Sequence, residues 1–455
     1  MSTIREQLLD QITNPDRAFN QPATIIEKLQ LQAAQELFEQ RVEQIPLLRR
    51  RADDAGITRI RRFEDIVPLL FAHTAYKSYP QSFIDNHRWD RLLQWLGALS
   101  VESTDNVDLS GVNDIDDWVE RLHAAGHHVL VTSGTSGKCS FLNQSRTDFE
   151  RKTRHFKYVT GWPYAQPNQD RDYFFLGPIN GRNSAIEAAR IGAINWAKPG
   201  GVHSLSNAPL TISEISQAAA LRKRMAEGRA TPTEIVKAKT LAARKADENR
   251  VRLEGLAQSI FEHRHEPIFV LGLWAQYLML VELARAQGIP DGDFHVHSII
   301  KAGGGVKGIA LPPDYKDQVA RFVGNVYRPG NYGMTEMASM LARCESNRYH
   351  ATPGLIMLVL DDTGEKLWGL EDARDGRIEG RFGFLDLLFD GRWGGVITGD
   401  KVTIDYTERC PCGRFGPTVL DNITRFAQIG EQDHIGCAGT IDAYVRGAVG
   451  VTGDV

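Results

Sequence analysis

Apolar positions recur at three- and four-residue spacing through TIIEKLQLQAAQELFEQRVEQIPLLRRRADDAG, and the pattern stops at Gly56, so residues 4 to about 75 are predicted helical. Residues 87–99 add another amphipathic helix whose tryptophans, Trp89 and Trp95, are read as core residues. From His127 the period changes. HHVLVTSGTSGK is an apolar strand running into a turn of small residues, and DYFFLGPINGRNSA from Asp172 repeats that grammar before the helix-like EAARIGAINWA. The charged stretch of residues 212–263 reads as solvated helix, broken at GRATPTE, where Gly228 and Pro232 mark a turn and Thr233 is the expected cap of the next helix. PIFVLGL, HVHSIIKAGGG and GNVYRPGNYGMTE follow as three β-rich runs separated by helical or polar segments.

Strands alternating with helices predict an α/β fold with a substantially parallel sheet. Beyond about Pro353 the chain turns to short β runs with Gly-rich turns, GLIMLVLDDTG and GRFGFLDLLFDGRWGGVITGDKVTIDY, which predict a small, mainly antiparallel subdomain. The expected organisation is a helical N-terminal region (1–110), an α/β core for nucleotide and substrate (111–352), a β-rich subdomain (353–425) and a short C-terminal tail (426–455).

Composition narrows the class. With 53 Lys and Arg against 57 Asp and Glu, the 455-residue chain carries a formal charge of −4, which argues against a nucleic-acid partner. The apolar stretch from Pro267 contains Gln276 and Glu282, so it reads as a buried strand and helix rather than a membrane span. The N-terminus lacks the apolar run of a signal peptide, and the five cysteines are an odd number, so a reducing, cytoplasmic setting is expected.

Three segments carry candidate chemistry. Val131-Thr-Ser-Gly-Thr-Ser-Gly-Lys138 offers closely spaced backbone N–H groups, hydroxyls and a lysine, a set suited to polyphosphate oxygens. It is not a Walker A loop, because only two residues separate Gly134 from Gly137, and alone it reads equally well as a structural turn. Asn331-Tyr-Gly-Met-Thr-Glu336 follows a later strand, and Val396-Ile-Thr-Gly-Asp400 lies in the β-rich portion. In this order and at these separations the three resemble the adenylate-forming superfamily of acyl-CoA synthetases and adenylation domains, over roughly residues 125–425. Cys410-Pro-Cys412-Gly-Arg414 is similar to the CxCGR segment of phenylacetate–CoA ligase-like enzymes. That branch implies a structural Zn²⁺ held by Cys344, His350, Cys410 and Cys412. The pairs His263/His265 and His295/His297 lack a third convergent ligand and read as strand or surface histidines.

The resemblance implies an adenylate-forming fold with helix-covered β-sheets and a truncated C-terminal domain. It also implies an ATP-dependent acid–thiol ligase using Mg²⁺ and coenzyme A. Ser133, Gly134, Thr135, Ser136, Gly137 and Lys138 would hold the β- and γ-phosphates, Thr335 the α-phosphate, Glu336 the Mg²⁺ and Asp400 the ribose hydroxyls. Asn331, Tyr332 and Gly333 would lie at the adenine and acyl pocket, with Arg425 in the place of a hinge arginine. The run Gly303, Gly304, Gly305 with Lys307 would approach adenine and acyl substrate, and GGGxK is also similar to acyl-protein synthetases of fatty-acid reductase systems. Its match to GxGxxG is set aside because IALPPDY follows where a helix should begin. Phe174, Asn180, Arg182 and Asn183 are the candidate acyl-pocket residues, favouring a hydroxy- or aminobenzoate.

Relatives in this superfamily extend about 100 residues past the hinge, with a lysine that contacts the reacting carboxylate. Here about thirty residues follow Arg425 and the acidic hinge pair is absent. Adenylation is therefore the firmer expectation, and the acceptor is left open between coenzyme A, a carrier protein and Cys437. Oligomeric state is not readable from the chain.

Overall fold

The computed structural model describes residues 2–132, 138–303 and 311–426. It is a mixed α/β structure in two compact units, one built from residues 2–132, 138–159 and 331–426 and the other from residues 160–303 and 311–330. The phosphate-loop candidates Ser133, Gly134, Thr135, Ser136 and Gly137 lie outside the described residues, as do Gly304, Gly305, Lys307 and Cys437.

The first unit is organised around a nine-stranded sheet. Leu355–Leu360, Arg377–Asp386, Gly395–Asp405, Thr418–Leu420, Arg348–His350, Leu341–Arg343 and Asn331–Tyr332 follow one another in that order, all antiparallel. The predicted β-rich segment is thus antiparallel, and the short strands of residues 331–350 join the same sheet. Phe71–Ala72 pairs in parallel with Gly395–Asp405, and Thr424–Arg425 pairs with it antiparallel. Gly395–Asp405 is buried along almost its whole length because neighbours cover both its edges and faces. Residues 387–394 lead into it, and a Cβ on Gly394 would stand 2.0 Å from the Asp386 carbonyl oxygen, so a side chain there would push the two backbones apart.

The expected N-terminal helices form as Ile4–Asp10, Ala23–Arg41 and Pro46–Ala55, the last ended by Gly56 at φ +65°. Farther on, residues 63–77 form two 3₁₀ segments around the Phe71–Ala72 strand rather than continuous helix, with Pro68 lying inside the first. Trp89 and Trp95 are buried, as expected, and Trp95 meets Tyr79 edge-on at 5.1 Å. Arg5, on the first helix, sends Nε to Leu387 O (2.8 Å), Nη2 to Phe389 O (2.8 Å) and Nη1 to Asp390 Oδ1 (2.6 Å). Arg41 and Arg151 also pair with Asp390. Burial alone would raise the Asp390 carboxyl, but these guanidinium groups hold it below its usual value.

The second unit is a four-stranded parallel sheet in the order Ala197–Ser206, Arg171–Pro178, Ile268–Leu273, Ile299–Gly303. Alternation along Arg171–Pro178 sends Phe174 and Leu176 into a core with Pro232–Glu262, Trp274–Ala286 and Tyr315–Val323, while Tyr173 and Phe175 pack with Ser184–Trp196 on the other face. The apolar run from Pro267 is the strand and helix that its composition predicts. Thr231, not Thr233, caps Pro232–Glu262. Its hydroxyl accepts from Glu234 N while Glu234 reaches back to Thr231 N, and Pro232 takes the first helical position, where it needs no N–H.

Candidate active site and a cysteine–histidine cluster

The sheet of the first unit brings two distant motifs into hydrogen-bonding distance. Tyr332 stands on the edge strand Asn331–Tyr332, and Asp400 lies within Gly395–Asp405. The Tyr332 hydroxyl donates to Asp400 Oδ2 at 2.8 Å. Thr424–Arg425 places Arg425 directly opposite Asp400 in register, and its Nε donates to Oδ1 at 3.1 Å. Asp400 is buried, and its own N–H donates a turn bond to Thr398 Oγ1 (3.0 Å). Burial, and then the Asp400 charge, push the Tyr332 hydroxyl well above its ordinary value, which keeps it a neutral donor. Each Asp400 oxygen spends one lone pair on the protein and keeps another for a hydroxyl.

Burial also raises the Glu336 carboxyl, and the charges of Arg392 and Lys77 draw it back. Arg392 is buried, donates from Nη2 to Glu336 O (2.9 Å) and lies 3.8 Å over the Phe389 ring. Its Nε and Nη1 have no hydrogen-bond partner among the described residues. A desolvated carboxylate beside unspent cationic donors can accept a divalent cation and an anionic ligand together.

Two buried groups fix the segment after Glu336. Asp386 accepts from Ala338 N (2.8 Å), Ser339 N (2.7 Å) and Ser339 Oγ (3.0 Å). His155 Nε2 accepts from Met340 N at 2.9 Å, and burial lowers the imidazole to about 4, so the ring is neutral with its proton on Nδ1. Neither these residues nor Arg392 belongs to the three sequence motifs. The available signals were a charged residue inside an otherwise apolar β run, at LLFDGRWGG and GFLDLL, and a histidine on the inner side of an amphipathic helix.

Other candidates have local structural partners. Lys138 Nζ donates to Tyr79 O at 2.7 Å. Asn331 Nδ2 donates to Val159 O at 3.2 Å, while Gly333 is exposed and Thr335 half-buried. In the second unit Phe174 is fully buried and stacks on His203 at 4.6 Å. Asn180 Nδ2 donates to Asn207 O (2.8 Å), Asn183 caps Ser184–Trp196, Arg182 is half-buried and Gly303 ends its strand. Of the paired histidines, His265 faces Asp293 and His297 faces Tyr327.

Cys344, His350, Cys410 and Cys412 converge, their ligand atoms all within 4.8 Å of one another. Two tight turns deliver them. Asn347 N donates to Cys344 O with Asn347 at φ +56°, and Gly413 N donates to Cys410 O with Gly413 at φ +88°. Arg414 closes the pair of turns with two bonds to Glu345, 2.7 and 3.2 Å. A tetrahedral zinc with ordinary bond lengths has edges of about 3.8 Å between sulfurs and about 3.5 Å between sulfur and nitrogen. The cluster shows 3.8 Å from Cys344 Sγ to Cys410 Sγ and 3.5 Å from Cys412 Sγ to His350 Nε2. Its donor set and dimensions fit that ion. Among the described residues no other such metal-sized group occurs.

No protein-family model matches the chain. No curated protein matches it either. Similar solved structures include an acyl-CoA synthetase from Brucella canis, 14% identical with a TM-score of 0.37; the match covers 64% of this chain and 44% of that one. Another is the acyl-CoA synthetase (AMP-forming)/AMP-acid ligase II-like protein from Dyadobacter fermentans, 13% identical, TM-score 0.34, covering 72% of each chain. A third is the adenylation domain of a keto acid-selecting NRPS module bound to keto acyl adenylate, 10% identical, TM-score 0.34, covering 82% of this chain and 74% of that one. No helix among the described residues is long and apolar enough to cross a membrane. These likenesses are distant, and the functional reading rests on the chain's own residues.

Proposed function

We propose that this chain activates a small carboxylic acid with ATP and Mg²⁺ and passes the acyl group to coenzyme A. A carboxylate oxygen attacks the α-phosphorus, the bond to the β-phosphate oxygen breaks, and pyrophosphate leaves. The thiolate of coenzyme A then attacks the acyl carbonyl, and AMP leaves with its electron pair. Since an anion must approach a polyanion, the protein's task is positioning and positive potential rather than covalent catalysis.

One observation carries this reading: Tyr332 and Arg425 converge on the two oxygens of Asp400. That orients a buried carboxylate with free lone pairs, suited to two vicinal ribose hydroxyls. Glu336 would hold the Mg²⁺, Thr335 would meet the α-phosphate, and Lys138 with Ser133, Thr135 and Ser136 would serve the outer phosphates. Arg392 supplies positive potential behind Glu336. Cys344, His350, Cys410 and Cys412 would hold a structural Zn²⁺, which supplies no chemistry to the reaction and ties the two turns together. Asn180, Arg182 and Asn183 would give a polar handle to an aryl acid, a hydroxy- or aminobenzoate being the favoured class, and the setting is cytoplasmic.

The test is ATP–pyrophosphate exchange across a panel of aryl and alkyl acids. Aryl acids should support exchange, and Asp400→Ala should lower it by about 100-fold, the loss of two hydrogen bonds to a charged group, with unchanged far-UV circular dichroism. Exchange at the wild-type rate in that variant overturns the ribose assignment. Adding coenzyme A should yield a soluble thioester; an acyl group recovered instead on the protein would favour transfer to a cysteine such as Cys437.

A further inference from the structure

The first unit contains a cavity of about 360 Å³ that none of Tyr332, Thr335, Glu336, Asp400 or Arg425 lines. It lies beside the cysteine–histidine cluster, with His350 and Phe415 in its wall. Phe19, Phe63, Tyr406, Trp368 and Phe415 are its aromatic lining and Ile356 and Leu358 its aliphatic lining. Trp368 and Phe415 each already carry a cation over one face, Lys366 at 4.4 Å and Arg409 at 3.7 Å. The charged residues in the lining are Glu27, Glu64 and Glu371; no lysine or arginine is among them. Glu64 has Arg62 within 4.0 Å, whereas no basic side chain among the described residues pairs with Glu27. Burial raises the Glu27 carboxyl, and its charge is felt by Tyr406 across the cavity wall. Thr352, 2% exposed, also lines the space, and its hydroxyl oxygen has no hydrogen-bond partner among the described residues.

Each of these features selects for the same ligand. Aromatic faces attract a cation through their quadrupoles, a half-buried carboxylate without a counter-ion does so more strongly, and a buried unsatisfied hydroxyl gains by accepting a donor. An anionic ligand would meet three carboxylates, of which only Glu64 has a basic partner, Arg62. We propose that this cavity is a binding site for a small aromatic molecule bearing a protonated amine, its ring among the aromatic side chains and its ammonium shared by Glu27 and Thr352.

Titration calorimetry of the full chain with tryptamine and with tryptophol, its hydroxyl counterpart, tests this directly. Tryptamine should bind about 10-fold more tightly, the value of one charge-assisted contact. Glu27→Gln should bring the two ligands within about 2-fold of each other, again because only the charge is removed. Ala23→Trp, which fills the space from the start of Ala23–Arg41, should abolish binding of both. Tryptamine binding should persist in Asp400→Ala, so the cavity and the adenylation reading stand or fall separately. Equal affinity for the two ligands, no binding of either, or tryptamine binding unaffected by Glu27→Gln would each overturn the assignment.

Discussion

Asp400 and His155 are buried polar groups, each of which receives hydrogen bonds from a distant part of the chain. Asp400 accepts one donor at each oxygen, Tyr332 at one and Arg425 at the other. His155 is kept neutral by burial, and its neutral Nε2 holds Met340 N and so the segment after Glu336. The sign of the pH effect follows. A histidine near 6.5 when unfolded and about 4 when folded contributes fully above pH 6.5, and that contribution fades as pH falls toward 4. The full loss is about 3 kcal/mol. His155→Gln keeps an acceptor near the Met340 N–H without a titrating ring. Wild type should therefore lose about 3 kcal/mol more than the variant between pH 7 and pH 4, measured by urea unfolding at each pH. Parallel pH profiles for the two proteins would show that His155 does not set this slope.

The two metal-sized turns, around Cys344 and Cys410, are short elements with few apolar contacts of their own. What holds them is Arg414 on Glu345, the sulfur and imidazole atoms between them, and the flanking strands Leu341–Arg343, Arg348–His350 and Thr418–Leu420. Cys410 and Cys344 are buried, and burial raises their thiols, Cys410 to about 12, a cost that a bound cation would offset by stabilising the thiolates. Elemental analysis should find about one zinc per chain. Cys412→Ser should remove most of that metal and lower the melting temperature by several degrees, roughly the effect of 1–2 kcal/mol in a domain of this size. Full-length protein without zinc, and a Cys412→Ser variant melting with wild type, would dismiss the site. The four ligands were named through the likeness of Cys410-Pro-Cys412-Gly-Arg414 to a family segment, which implied Cys344 and His350 as well. The 3.8 and 3.5 Å edges were not, because they depend on how three strands align.

At the scale of the first unit, one ion-pair junction ties distant elements together. Asp390 gathers Arg5, Arg41 and Arg151, joining the first helix, the long N-terminal helix and Arg146–Val159 to the loop that carries Arg392. Arg5→Met should cost about 3 kcal/mol, since it strips a half-buried acid of one partner and leaves two carbonyls without their Arg5 donors, while Arg41 and Arg151 limit the damage. Urea unfolding measures it, and a loss below about 1 kcal/mol would mean the junction is redundant. Hydrophobic periodicity was enough to read most helices, the parallel sheet of the second unit and the antiparallel character of the β-rich segment, because burial acts on every residue at a regular period. It misread residues 63–77 and the cap at Thr231, where a proline and a reciprocal side-chain bond decide the local geometry. The three motifs themselves could be found by spelling, since each is a short run of adjacent residues. Which contacts support them could not: Arg425 was named, but its bond to Asp400 depends on strand register, and Arg392, His155 and Asp386 reach the 336–340 segment only through packing. Residue type and local period are properties of neighbours along the chain, whereas these contacts join positions up to 185 residues apart and exist only once the backbone has been folded between them.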